Sequence, residues 1–210
     1  MRIILASKSP RRRELLSRIA DDFEIITRDT DETLPEGMHP SRGVEVLAVR
    51  KGRAVLDVIE GDAIVISSDT LVELGGVALG KPVDRDDAYA MLRSLSGRWH
   101  NVHTGVAVHR GGRVWSGVST TRVRFRELSD EDIYGYIDTN EPMDKSNVPI
   151  WNNEKKPGWL DFAGSYGIQT EFGRRAIKQI DGNMDNVMGL PLDLVRRLLK
   201  EAGYEIEGCK

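Results

Sequence analysis

The sequence predicts an α/β fold in which helices cover the faces of one mixed, twisted sheet. In the first half, short apolar runs rich in β-branched residues alternate with segments whose apolar residues recur at helical spacing. In the second half, apolar runs flank glycine pairs and an Asp-Gly pair, which is typical of hairpins. Helix and strand alternation combined with hairpins favours a sheet that has both parallel and antiparallel pairs.

Length and composition indicate a globular protein with a single domain over residues 1–210. A chain of this length buries on the order of 70% of its unfolded surface, so its core needs no metal or disulfide. The composition is 40% hydrophobic and 30% charged, which is ordinary for a globular protein. The net charge of -3 argues against general nucleic-acid binding, which depends on a basic surface, so no nucleic-acid partner is expected.

Cysteine use and hydropathy bear on the compartment. The single cysteine, Cys209, allows no internal disulfide, which fits a reducing environment. The apolar run in MRIILAS is too short for a signal peptide, and no run approaches the roughly 18 residues of a membrane span. We therefore expect a cytoplasmic protein without a membrane partner.

The first four elements follow from local patterns. Arg2–Ala6 is a buried strand that leads into a helix, with Ser9 as its cap and Pro10 in its first position. Phe23–Thr27 predicts a second strand, and an acidic loop follows it. Residues 41–59 have the clearest helical spacing of apolar side chains.

The next segment predicts a strand and then a hairpin. Ala63–Ile66 is a buried strand that delivers residues 67–70 to its end. Two short apolar runs, Leu71–Leu74 and Val77–Leu79, flank Gly75-Gly76, which indicates a two-residue turn.

The stretch GGVALGK has nearly the spacing of a phosphate-binding P-loop, but its context argues against one. The residue after Lys81 is Pro82, which has neither a hydroxyl for magnesium nor an N–H for a phosphate. The glycines are therefore interpreted as a turn, and Lys81 alone stays a candidate for chemistry.

The remaining elements are predicted from caps and turns. Asp84 begins a helix that Gly97 ends, and a hairpin over residues 101–125 turns at Gly111-Gly112. The later signals are a capping box at Ser129 and Asp132 before Ile133–Ile137, a hairpin over Arg174–Val187 turning at Asp181-Gly182, and a final helix opened by Pro191.

One candidate cluster for chemistry is basic and lies where the first strand meets the first helix. A helix N-terminus attracts anions, and arginine forks match phosphate oxygens. Three cations in a first helical turn cost about 0.3–1 kcal/mol each unless an anion neutralises them. The alternative is a solvated basic face paired with Glu14. The cluster comprises Ser7, Ser9, Arg11, Arg12 and Arg13.

Carboxylates and lysines form two further clusters. Ligands bind at the carboxyl ends of strands in α/β sheets, so Asp69 is placed to hold magnesium or activate water. Its alternative role is to cap a turn, and solvation is the preferred interpretation for Asp29. Lys51 falls within a long helix, where a solvated charge is the usual role. The clusters are Asp29, Asp31, Glu32 and Asp69, and Lys51, Lys81 and Lys145.

Several motifs in one order resemble a known family. They are LASKSPRRRELL, DTDE, SSDT, GKP, LRSLSGRWHNVHTGV, YIDTNEPMDK, GSYGIQ and NVMGLP. Together they are similar to the Maf proteins, which are nucleoside triphosphate pyrophosphatases. The resemblance implies a two-lobed fold like that of the inosine triphosphatases (Maf/Ham1), with a central cleft, and a homodimer. It implies hydrolysis of a nucleoside triphosphate to the monophosphate and pyrophosphate with a divalent metal, Mg²⁺, Mn²⁺ or Co²⁺.

The same resemblance implies roles for particular residues. Asp69 is implied to be the catalytic residue and, with Glu32, to serve the metal. Thr70 and Gln169 are implied to help recognise the base, and YGIQ is similar to the branch that prefers dTTP and UTP. The implied substrate-binding residues are Ser7, Ser9, Arg11, Arg12, Lys51, Thr70, Lys81 and Gln169.

One segment departs from the family pattern, and one alternative function stays open. Residues 146–162 intervene where the family runs straight on, and their tryptophans and prolines predict a structured flap or an oligomer contact. The alternative function is a non-catalytic regulator that binds a nucleotide or a partner in cell division.

Overall fold

The structure, a computed structural model, describes residues 1–139, 150–151, 154–155 and 163–205. The strands are β1 (Arg2–Leu5), β2 (Glu24–Ile25), β3 (Ala63–Leu74), β4 (Val77–Leu79), β5 (Trp99–Arg110), β6 (Arg113–Phe125), β7 (Ile150–Trp151), β8 (Glu154–Lys155) and β9 (Ile177–Asp181). The helices are α1 (Pro10–Leu16), α2 (Pro40–Leu56), α3 (Arg85–Leu95), α4 (Asp130–Asp138), α5 (Glu171–Ala176), α6 (Met184–Met188) and α7 (Leu192–Glu201), with a 3₁₀ turn at Ala163–Ser165.

Seven strands form one sheet in the order β2-β1-β3-β5-β6-β9, and β4 pairs with β3. Strand β1 runs parallel to both β2 and β3, whereas the β3–β4 and β6–β9 pairs are antiparallel. The predicted mixed α/β fold is therefore confirmed. Strands β7 and β8 form a separate antiparallel pair.

The chain folds as two compact units. The first comprises Met1–Thr70, Val102–Thr121 and Asn183–Lys210, and the second comprises Leu71–Asn101 and Arg122–Gly182.

The core of the first unit lies on both faces of β1 and β3. Successive strand residues point to opposite faces. Accordingly, Leu5 and Ile66 pack with α1 and α7 on one face, and Ile4 and Val65 pack with Val55 of α2 on the other. Odd-numbered residues of β3 therefore face α2, and this parity places Asp69 on the α2 side.

The core of the second unit contains an aromatic cluster. The rings of His100, Phe125 and Tyr166 meet edge to face, and His100 Nε2 lies 2.7 Å from Tyr166 Oη. Burial lowers the pKa of His100 to about 4 and raises the pKa of Tyr166. Both side chains are therefore uncharged at neutral pH.

Several sequence predictions are confirmed. The Gly75-Gly76 turn has φ values of 61° and 87°, as a type I′ hairpin requires, so the P-loop interpretation fails. Asp84 caps α3 through the N–H of Asp87, and Ser129 forms the predicted capping box. Among the described residues, no helix has both the length and the apolar character to cross a membrane.

Other predictions need correction at element ends. Strand β3 continues to Leu74 because it pairs with β4, so Asp69 lies inside a strand and not at its end. Parallel pairing with β1 does stop at Ile66, so Asp69 lies beyond the last β1 partner. Strand β2 covers two residues of the predicted five. Ser9 occupies the N-cap position of α1, but its side chain makes no capping hydrogen bond.

The hairpin predicted over Arg174–Val187 is wrong. Residues 174–176 end α5, and β9 pairs with β6 in place of a partner from its own hairpin. After Gly182, the Asn183 side chain accepts a hydrogen bond from Asp185 N at 2.7 Å and begins α6. A helix cap thus replaces the second strand. Lys145, Cys209 and most of the insert 146–162 lie outside the described residues.

Candidate active site

The centre of the candidate site is a lysine between two carboxylates, all in the first unit. Lys51 Nζ contacts Asp69 Oδ1 and lies 2.7 Å from Glu32 Oε1. The Asp69 side chain is 12% exposed and the Lys51 side chain 20%, whereas Glu32 is 63% exposed. The pair is therefore partly shielded from water, which strengthens its electrostatic interaction. Lys51 is thus not the solvated helix charge of the alternative interpretation.

The loop that carries Glu32 is attached to α2 by an arginine that the sequence analysis did not single out. Arg50 Nη1 donates to the carbonyls of Asp31 and Thr33, at 3.2 and 2.6 Å. Asp31 in turn accepts from Thr33 N at 2.8 Å, which lowers the pKa of its carboxyl. The backbone on both sides of Glu32 is therefore held, and its side chain can reach Lys51.

Arg12 is partly buried, and protein oxygens take most of its N–H groups. Its Nε donates to Gly189 O at 2.9 Å, and its Nη1 donates to Ser68 O at 2.9 Å and Ser7 Oγ at 3.4 Å. Its Nη2 donates to Thr70 Oγ1 at 3.2 Å. These four bonds hold the guanidinium plane in one orientation.

The charge of Arg12 is coupled to the carboxylates. Burial lowers the pKa of the Arg12 guanidinium, and the negative charges of Asp69 and Glu32 oppose that shift. Because arginine starts from such a high value, it stays protonated. The site therefore places two cations, Arg12 and Lys51, beside two acids.

Arg12 donates to one end of a chain of hydrogen-bonded polar groups, which we call the Thr70 relay. It comprises Thr70, Thr104, Asn186 and Thr121. Thr70 accepts from Arg12 and lies 3.0 Å from Thr104 Oγ1, which donates to the Asn186 carbonyl at 2.8 Å. Asn186 is fully buried and donates through Nδ2 to Thr121 Oγ1 at 3.0 Å.

The inner members of this relay were not among the predicted site residues. Thr104 interrupts the apolar strand pattern of β5, and Asn186 and Gly189 lie in NVMGLP, which was used for the family resemblance without a role. A polar residue within a buried pattern was the available signal, since such groups need partners.

The other residues of the basic cluster are close in sequence and differ in environment. Ser7 is buried and its Oγ accepts from Ser9 N at 3.2 Å. Arg11 is partly buried and Arg13 is exposed. Glu14 pairs with Arg18 at 3.0 Å, whereas the alternative interpretation paired it with the basic face of the cluster.

Two predicted substrate-binding residues belong to the second unit. Lys81 is exposed two residues after β4, and Gln169 is exposed two residues before α5. The segments that carry them are joined, since Gly164 N donates to Gly80 O at 2.9 Å. Their roles in substrate binding stay predictions.

The carboxylates suit a magnesium-type ion that also binds the substrate. In the part of the chain that the structure describes, no group of three or more His, Cys, Asp and Glu side chains could hold a metal by itself. Magnesium is commonly bound through one or two carboxylates plus substrate phosphates. Glu32 and Asp69, both in contact with Lys51, match that smaller protein donor set.

Fold and site together define an α/β protein whose clustered cations and acids suit a phosphate anion. The chain belongs to the Maf family, since the model of the Maf-like proteins matches residues 2–202. A dTTP/UTP pyrophosphatase of Pelotomaculum thermopropionicum is 44% identical over 208 residues, covering 97% of this chain and 98% of the relative. A dTTP/UTP pyrophosphatase of Bacillus velezensis is 44% identical over 200 residues, covering 95% and 96%. The solved Staphylococcus aureus Ham1 protein aligns with 62% of this chain and 73% of its own, at 16% identity and a TM-score of 0.41.

Proposed function

We propose that this protein is a nucleoside triphosphate pyrophosphatase that converts a nucleoside triphosphate and water to the monophosphate and pyrophosphate. Membership of the Maf family and the names of the relatives support this reaction over a non-catalytic regulator. The same names support dTTP and UTP as substrates. The observation that carries the proposal is the contact of Lys51 with both Asp69 and Glu32, next to the guanidinium of Arg12.

The proposed mechanism begins with charge. A triphosphate repels an approaching nucleophile, and fixed cations lower that repulsion and stabilise charge on the leaving pyrophosphate. Arg12 and Lys51 supply such cations. Lys81 and Gln169 are proposed, from the family resemblance alone, as contacts of phosphate and base. Ser7, Ser9 and Arg11 are proposed to complete the phosphate contacts.

Asp69 is proposed to receive the proton of the attacking water. Lys51 contacts its Oδ1, and among the described residues Oδ2 makes no hydrogen bond. That oxygen is therefore available to orient a water toward the α-phosphorus and accept its proton. Water forms the new P–O bond while the bond from the α-phosphorus to the bridging oxygen breaks, so pyrophosphate leaves.

Glu32 and Asp69 would hold the divalent metal, proposed to be Mg²⁺, Mn²⁺ or Co²⁺. When bound, such an ion supplies positive charge that neutralises phosphate oxygens. Lys51 contacts both carboxylates. A homodimer and a cytoplasmic location also remain proposals.

The test of the reaction is a panel of nucleoside triphosphates with each metal or a chelator. We expect monophosphate and pyrophosphate in equal amounts, fastest with dTTP and UTP, and no turnover with chelator. Hydrolysis in ¹⁸O water should place the label in the monophosphate. Release of a diphosphate and inorganic phosphate would contradict the proposed bond cleavage.

The role of Asp69 is tested separately by Asp69→Asn, which keeps the shape of the side chain. Loss of a general base costs roughly 10²–10⁴ in rate. The matched control is Asp29→Asn, in the exposed acidic loop, which we expect to keep wild-type kcat. A decrease of less than about tenfold in folded Asp69→Asn would exclude a general-base role.

A further inference from the structure

Helix α2 lies very close to the sheet at Gly52, the residue next to Lys51. A Cβ atom added to Gly52 would lie 2.3 Å from His109 Nε2 and 2.7 Å from Ser67 Oγ. Real Cβ atoms essentially never approach other atoms to less than 3.0 Å. A side chain at position 52 therefore requires the helix or the two strand residues to move.

The groups under Gly52 are polar and attach the sheet to the turn of α2 that precedes Lys51. Ser67 Oγ donates to Ala48 O at 2.7 Å, and His109 interacts with the backbone of Val49. Burial lowers the pKa of His109 to about 4, and the nearby charge of Arg53 contributes, so the ring is neutral.

The His109 ring is enclosed rather than loosely placed. Its Nε2 atom is buried and makes no hydrogen bond to any described residue. An unsatisfied buried nitrogen costs about 1–3 kcal/mol, so the ring is kept there by the surrounding packing. It cannot withdraw from a new side chain at position 52 without disturbing that packing.

A second glycine, on strand β5, allows an equally close contact near the other end of α2. A Cβ atom on Gly105 of β5 would lie 2.3 Å from Val44 O, a backbone atom of α2. Val44 and Gly52 are eight residues apart, which is about 12 Å along a helix. The two close contacts therefore determine the height of α2 above the sheet along most of the helix.

We propose that Gly52 is a positioning residue: because it has no side chain to meet His109 and Ser67, helix α2 can hold Lys51 in contact with Asp69. This inference rests on the proposed function, in which the ion pair carries the reaction. Moving a Cβ from 2.3 Å to ordinary contact needs a shift on the order of 1 Å, and a displacement of that size can cost about 10² in rate. The effect acts through Lys51, since Gly52 does not need to touch the substrate.

The first test is Gly52→Ala, with Gly135→Ala as the matched control. Gly135 is also a helical glycine, in α4, but its added Cβ would meet nothing within 4 Å. We expect kcat for nucleotide hydrolysis to fall by about 10–10² in Gly52→Ala, with a smaller change in KM, and to stay at the wild-type value in Gly135→Ala. In a crystal structure of Gly52→Ala, the Lys51 ammonium should lie beyond about 4 Å from the Asp69 carboxylate.

The second test is rescue. Ser67→Ala with His109→Ala removes the atoms that an added Cβ would meet, and Gly52→Ala is then introduced into that background. We expect the triple variant to have the same kcat as the Ser67→Ala/His109→Ala double variant. The crystal structure of the triple variant should show Lys51 in contact with Asp69. A general loss of stability would not be reversed by two further deletions of side-chain atoms.

The outcomes separate this inference from the proposed function. Wild-type kcat in Gly52→Ala, or an unchanged Lys51–Asp69 contact in its structure, would overturn the positioning role. If Gly52→Ala alone does not fold, the rescued variant decides, because failure to fold there, or a kcat below that of the Ser67→Ala/His109→Ala double variant, overturns the role as well. A wild-type protein without hydrolase activity would refute the proposed function, and the crystallographic comparison would still decide the positioning role.

Discussion

Replacing Gly189 with alanine tests how the protein orients Arg12. Gly189 follows α6 with φ 103° and ψ 10°, in the left-handed region that favours glycine. Its carbonyl accepts from Arg12 Nε and from Ser68 Oγ, at 2.9 and 3.0 Å. An added Cβ would lie 3.1 Å from Arg12 Nε and 3.2 Å from Thr70 Oγ1, so both side chains would have to shift.

We expect Gly189→Ala to lower both the stability of the protein and its kcat/KM. A non-glycine residue in this backbone region costs about 1–2 kcal/mol, which lowers Tm by about 2–4 °C per kcal/mol in a chain of this size. Because the added Cβ also displaces the Arg12 guanidinium, we expect kcat/KM to fall by about 10–10².

A matched variant separates these two effects. Gly112, in the β5–β6 turn, also has a positive φ of 77°, but a Cβ there would meet nothing within 4 Å. Thermal unfolding and nucleotide hydrolysis are measured for both variants. Gly112→Ala and Gly189→Ala should both lose Tm, and Gly189→Ala alone should lose kcat/KM. Wild-type kcat/KM in Gly189→Ala would refute the role assigned to this glycine.

Three further predictions concern stability. Gly105→Ala forces a Cβ against the Val44 carbonyl, and overpacking of this kind should lower the free energy of unfolding by about 1–3 kcal/mol or more in denaturant titrations. Thr104→Val breaks the Thr70 relay and leaves buried partners unsatisfied, which should cost about 1–3 kcal/mol, whereas Thr104→Ser should cost less. His100 and His109 have folded pKa values near 4, below the ordinary 6.5, so the unfolded chain gains their protons first as the pH falls. This contribution to the free energy of unfolding should be fully present above about pH 6.5 and be lost as the pH falls toward 4. A denaturant midpoint that increases as the pH is lowered from 6.5 to 4 would contradict this assignment.

Local patterns predicted most of the fold because turns and caps depend on neighbouring residues. Gly75-Gly76, Asp84 and Ser129 each act within four residues, and each behaves as predicted. The errors arise where pairing with a strand that is distant in sequence determines the local structure. Strand β9 pairs with β6, about 55 residues away in sequence, and no pattern within Arg174–Val187 contains that partner.

The candidate site was predicted in its residue types but not in its connections. Asp69 and Lys51 are 18 residues apart and were assigned to separate clusters, since only the packing of α2 on β3 brings them together. Arg12 was predicted as a phosphate contact from its place at a helix N-terminus, but its bonds to the carbonyls of Ser68 and Gly189 and to the hydroxyls of Ser7 and Thr70 were not predicted. Two of those acceptors are backbone carbonyls, which carry no sequence signal.

The four hydrogen bonds of Arg12 have a consequence for affinity. An arginine has five N–H groups and carries about 2 kcal/mol of rotamer entropy when free. Because Arg12 is already immobilised, that entropy is lost during folding and need not be lost again if Arg12 binds an anion as proposed. Its remaining N–H would therefore meet a ligand as a rigid donor, comparable to a backbone amide more than to a flexible surface cation.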